Sequence, residues 1–144
     1  MRRKILPWTL VILWMALIFF FSHQPGTESN ELSSGITRSI AEVIKWITPG
    51  TSPNQGTLNY IIRKGAHFSI YLVLGLLVTN GLLYTNKPKL KVILLTLLIC
   101  VLYAISDEIH QLFISGRSGQ ITDVLIDSTG GLVGTLLMSA IRRK

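Results

Sequence analysis

The sequence predicts an all-α membrane protein: a bundle of four transmembrane helices plus one external amphipathic helix. Three observations carry this. First, the 144 residues are 49% hydrophobic with a mean hydropathy of +0.49. That hydrophobicity is gathered into runs long enough to cross a hydrocarbon layer. Second, the charged residues sit in short clusters beside those runs rather than along them. Third, one segment between the first two runs has the 3.6-residue apolar spacing of an amphipathic helix. The length suits one domain over residues 1–144. A net charge of +7 and a pI of about 9.9 fit nucleic acid in principle. The placement of the charges against apolar runs favours a membrane, and no nucleic-acid partner is expected. The single cysteine, Cys100, lies in mid-run and reads as a small apolar filler.

The first span is expected over about residues 5–22, behind Arg2-Arg3-Lys4. It is long for a signal peptide, carries Trp8 and Trp14, and lacks a small-x-small cleavage site, so it reads as a retained anchor. Pro7 is placed near its start, where a missing N–H matters little. The next segment, from His23 to Gly56, is polar with Gly and Pro at both ends. Within it Leu32, Ile36, Ile40, Val43, Ile44 and Ile47 share one helical face, so an amphipathic helix is expected from Ser29 to Ile47. It is read as packed on the bundle or lying at the interface, with a lid over a site as the sharper alternative. The remaining spans are expected over about residues 58–84, 90–113 and 120–141. Thr85-Asn86-Lys87-Pro88-Lys89 and the tight turn Ile114-Ser115-Gly116-Arg117-Ser118-Gly119 connect them. No internal repeat or low-complexity tract is evident.

Basic residues orient the bundle. Arg2, Arg3, Lys4, Lys87, Lys89, Lys91, Arg142, Arg143 and Lys144 fall on one side of a four-span protein. Arg38, Lys45, Arg63, Lys64 and Arg117 fall on the other. Nine against five puts both termini in the cytoplasm. All seven acidic residues lie in the outer half.

The outer half also holds the candidate site. Arg63, His67 and Tyr71 are spaced by four and form one stripe, which Gly75 continues. Tyr103, Asp107 and Gln111 form another, with His110 on that side and Glu108 rotated about 100° away. Asp123, Asp127, Gly130 and Gly134 share a face of the last span, and Gly130-x-x-x-Gly134 favours close helix packing. Asp127 lies about 6 Å deeper than Asp123 at roughly 1.5 Å rise per residue. Ionisable groups near hydrocarbon are costly, so grouping them marks a site.

Three readings of that site stay open. In the leading one, Arg63, Lys64 and Arg117 bind an anionic head group such as a phosphate, with the neighbouring polar residues in the same pocket. In the second, Asp107, His110, Asp123 and Asp127 hold a divalent metal while His67 or Glu108 acts in acid–base catalysis. Asp-Glu-x-His is not a specific metal signature, and no His-Glu-x-x-His or Gly-x-Ser-x-Gly is present. No cofactor is therefore expected. In the third, the polar residues are ion pairs and hydrogen bonds that lock the bundle. His23, at the end of the first span, reads as an exposed interface residue.

The chain resembles the VanZ-like family. The resemblance rests on Arg63-Lys64-x-Ala66-His67-Phe68-x-x-Tyr71 and on Tyr103-Ala104-x-x-Asp107-Glu108-x-His110-Gln111-x-Phe113. Gly116-Arg117, Asp123-x-x-x-Asp127 with Gly130, and Ser22-x-Gln24-Pro25 extend it. Ser115 stands where proline is expected in that family. The resemblance implies a small bacterial membrane protein of four or five helices. The family is named for a member associated with teicoplanin resistance, but the resemblance supplies no biochemical mechanism. Glycopeptides target cell-wall precursors at the outer leaflet. A membrane lipid or lipid-linked cell-wall precursor is thus the expected partner. A lipid-directed hydrolase or transferase and a purely structural bundle are the alternatives.

Overall fold

The computed structural model describes residues 2–142. The side chains of Arg2, Arg3 and Lys4 lie outside the description, as do Met1, Arg143 and Lys144. Much of the terminal charge used for orientation is therefore outside the described residues. The described chain is 82% helix with no strand. Five helices follow in order: α1 (Arg2–Ser22), α2 (Gly26–Ile47), α3 (Gln55–Leu83), α4 (Lys89–Gln111) and α5 (Ile121–Ile141). All but α2 contain a stretch long and apolar enough to cross a membrane.

Local chemistry explains the helix ends. Asn54 caps α3, its side chain accepting a hydrogen bond from the Thr57 amide at 3.1 Å. Pro25 and Pro88 precede α2 and α4, where proline's fixed φ suits a helix entrance. One expectation changes. α1 begins at Arg2, so Pro7 lies inside it and removes an i→i−4 backbone bond.

α3 is the hub. It packs against every other helix, most extensively α5. That seam is backbone against backbone. A Cβ on Gly134 would lie 2.0 Å from the Leu72 carbonyl oxygen, and one on Gly130 would lie 2.3 Å from that of Phe68. Only glycine permits such an approach, and in lipid close packing replaces the hydrophobic drive for helix association. Apolar packing around Val11, Leu74, Val78, Leu82 and Val92 fills the other end of the bundle. There Thr79 Oγ1 donates to Thr96 Oγ1 at 3.3 Å, and Thr96 Oγ1 donates to the Val92 carbonyl at 3.0 Å.

The surface is inverted relative to a water-soluble bundle. Leu13, Leu98 and Leu136 are 61%, 53% and 50% exposed, while Asp127, Thr79 and Thr135 are fully buried. Exposed apolar area on this scale matches a lipid solvent, not water.

The amphipathic helix packs by its other face. Ser33, Thr37 and Ala41 are buried against the bundle; Ile40, Val43 and Ile47 point outward, and Leu32 and Ile36, about half exposed, flank the packed face. Thr37 Oγ1 donates to Asn59 Oδ1 at 3.3 Å, and Asn59 Nδ2 donates to Asn30 Oδ1 at 3.1 Å. The physical reason is that in a membrane the apolar stripe gains by facing lipid. Small and polar residues are then left to meet α3.

Candidate functional site

The stripe Arg63/His67/Tyr71 on α3 opens onto a half-open cavity of about 380 Å³ between α1, α2, α3 and α4. Its walls are mostly apolar: Ile18 and Phe21 from α1, Leu32 and Ile36 from α2, Ile62 and Ile70 from α3. Its polar lining includes Arg63, His67, Tyr71, Asp107, Gln111 and Arg117. Gln111 Nε2 donates to Asp107 Oδ2 at 3.3 Å, one turn away on α4.

Arg117 reaches the cavity from the α4–α5 turn. Gly116 there has φ +73°, a left-handed conformation that glycine adopts freely. The turn is pinned to the start of α2, where Gly26 N donates to Ser115 O at 2.9 Å. A Cβ on Gly26 would lie 1.9 Å from the Gly116 oxygen, so this contact also requires glycine. Arg117 Nε and Nη2 donate to the carbonyls of Gln24 and Phe21 at 2.9 and 2.8 Å. The guanidinium thereby caps the C-terminal end of α1, where cations are favoured. Burial and the nearby Arg63 guanidinium lower its pKa from the ordinary value, with Asp107 and Glu108 opposing. An arginine stays charged under such a shift. Arg63 is exposed, and neither arginine forms a salt bridge among the described residues.

A second cavity of about 210 Å³ lies beside the first. Arg63 and His67 line both; Lys64, Tyr60, Gln120 and Asp123 belong to the second. Lys64 pairs with Asp123, donates to Gln120 Oε1 at 3.2 Å and lies 5.2 Å over the Tyr60 ring. Its charge is matched within the bundle, unlike that of Arg63.

Behind His67 lies the most buried part of the cluster. His67 Nδ1 is 3.4 Å from Asp127 Oδ1. His67, Glu108 and Asp127 each offer a ligand atom, and these atoms lie within 4.8 Å of one another. Glu108 Oε2 accepts from the Gln120 amide at 2.7 Å, which ties the start of α5 to α4. Glu108 Oε1 and both oxygens of Asp127 are buried without a hydrogen bond. Among the described residues this trio is the group with metal-ligand spacing. The roughly 100° rotation of Glu108 from Asp107 thus turns it toward α3 and α5, into the cluster.

Two residues of the sequence-derived set stand apart. Tyr103 lines neither cavity; its hydroxyl donates to the Met15 carbonyl at 2.6 Å and ties α4 to α1. His110 faces the end of α1, with its Nε2 3.2 Å from His23 Nδ1 and its ring 4.7 Å from that of Phe19. One histidine of that pair must donate and the other accept. His23 is exposed as expected, with this partner in addition. Sequence reasoning passed over Gln120, whose backbone and side chain serve Glu108 and Lys64. It also passed over Trp14, whose Nε1 donates to the Ile70 carbonyl at 2.9 Å. A tryptophan in mid-span, with an N–H to satisfy, was the available signal.

The comparisons with known proteins fit this picture. The family model described as VanZ/LLP1 matches residues 7–142. No curated protein and no solved structure gives a match. The matched stretch runs from within α1 to just past the end of α5 and takes in the α3 stripe, the Arg117 turn and both aspartates of α5. On that near-complete match, this multi-pass membrane protein belongs to the VanZ/LLP1 family.

Proposed function

We propose that the larger cavity binds the anionic head group of a membrane lipid or lipid-linked cell-wall species. Arg63 and Arg117 would hold the anion, and the apolar walls its first methylene groups. The observation that carries this is the pairing on one cavity of two arginines, neither of which forms a salt bridge among the described residues. Their like charges oppose each other; after burial, the Arg63 charge is the second cause that lowers the Arg117 pKa. An anion between them reverses that repulsion, and guanidinium groups bind phosphate oxygens through paired hydrogen bonds. Ile18, Phe21, Leu32 and Ile36 supply a wall suited to an acyl or prenyl chain.

The basic-residue asymmetry supports an outward-facing site in a bacterial cell membrane, with both termini cytoplasmic. Such a site meets lipid-linked precursors where glycopeptides act, which extends the reading to teicoplanin susceptibility. The test is a binding titration of a short-chain lipid phosphate against the purified protein in neutral detergent. A charge-assisted hydrogen bond contributes about 1.5–3 kcal/mol, so Arg63→Gln should weaken binding about 10- to 100-fold. Equal binding by Arg63→Gln and wild type, or equal binding of a neutral lipid, overturns the proposal.

A further inference from the structure

We infer that His67, Glu108 and Asp127 form a binding site for a divalent cation of the Mn²⁺ or Zn²⁺ class. The inference goes beyond lipid binding and does not rest on it.

Three helices contribute one ligand each: α3 His67, α4 Glu108 and α5 Asp127. The ligand atoms lie within 4.8 Å of one another, so a small inward shift of the side chains brings them to the separations of about 3–4 Å that ligands bonded at about 2.0–2.2 Å to one ion have. The independent sign of a missing partner is the state of the carboxylates. Asp127 is fully buried, and both its oxygens lack a hydrogen bond. His67 Nδ1, 3.4 Å from Asp127 Oδ1, is at ion-pair distance without hydrogen-bond geometry. Glu108, 5% exposed, directs Oε2 to the Gln120 amide and leaves buried Oε1 unpartnered. Buried polar oxygens are almost always satisfied, and three orphans from two acids in one place call for a cation.

The nearby ammonium does not fill that role. Lys64 is taken up by Asp123 and Gln120. Two carboxylates and one imidazole suit Mn²⁺ or Zn²⁺ and leave coordination positions for water or an anionic oxygen. Of the three, His67 lines both cavities, so an ion would enter past its imidazole. The ion would also fasten α3, α4 and α5 together at the end where the bundle opens.

The test is metal content and Mn²⁺ or Zn²⁺ titration of the full chain, purified in detergent without a polyhistidine tag. One ion per chain is expected for wild type. Glu108→Gln, which keeps a carbonyl for the Gln120 amide, and Asp127→Asn should each weaken binding about tenfold or more. His23→Ala, away from the trio, should retain the ion. Should Asp127→Asn fail to fold, Glu108→Gln decides alone. Wild type that takes up neither ion, or Glu108→Gln that binds like wild type, overturns the site. The two proposals separate cleanly: Arg63→Gln should keep the metal, and Glu108→Gln should still bind the lipid phosphate in a metal-free buffer.

Discussion

Replacing Gly134 with alanine tests the seam on which the site is built. The added methyl would lie 2.0 Å from the Leu72 carbonyl oxygen and 3.0 Å from the Leu76 amide nitrogen. Ordinary contact begins at 3.4 Å. The clash is with backbone, so no side chain can swing aside; α3 and α5 must part by roughly 1.4 Å. Overpacking of this kind costs about 1–3 kcal/mol. At about 2 kcal/mol the folded-to-unfolded ratio falls roughly 30-fold. Cys100 supplies the assay, being the one thiol in the chain and fully buried. Thermal unfolding in detergent, followed by a thiol-reactive dye, should show a midpoint lowered by roughly 5–10 °C. Gly35→Ala is the matched control. Nothing lies within 4 Å of its added methyl, and its place inside α2 should make alanine neutral or stabilising by up to about 1 kcal/mol. A Gly134→Ala protein that unfolds at the wild-type midpoint, or a Gly35→Ala protein that falls as far, would refute the backbone seam.

Other outcomes follow from the same geometry. Tyr103→Phe removes the donor to Met15 O and should lower stability by about 1 kcal/mol while leaving lipid-phosphate binding unchanged; a selective loss of binding would return Tyr103 to the site. Ser115→Cys and Asn86→Cys sit in turns at opposite ends of the bundle. With buried Cys100 silent, a membrane-impermeant thiol reagent applied to intact cells should label the first and not the second; the reverse pattern inverts the orientation.

The helices were legible because lipid imposes a blunt code: long apolar runs, with charges only at their ends. The site was legible in outline for a related reason. Arg63, His67 and Tyr71 repeat every fourth residue, and Asp123 and Asp127 do the same, so stripes could be read from spacing alone. What spacing does not contain is the neighbour. The 3.6-residue spacing of α2 marked an apolar face but not what that face would meet. The outward stripe of α2 and its inward Ser33, Thr37 and Ala41 follow from the lipid solvent. Glu108 looked misdirected beside Asp107 because its partners come from two other helices. His110 looked like a site residue because Asp107 lies three positions away, yet an aromatic and a histidine at the end of α1 claim it. Gln120 could not be singled out, since its main contribution is a backbone amide that every residue possesses.

The most direct test of an anion-binding cavity is to identify what the protein retains from its own membrane. Native mass spectrometry of wild type and Arg63→Gln, extracted in the same neutral detergent, reports the co-purified lipid. A bound anionic lipid on wild type that is lost from Arg63→Gln, with metal content and thermal midpoint unchanged, is the expected result. Neutral lipids on wild type, or the same anionic lipid held equally by both proteins, would contradict it.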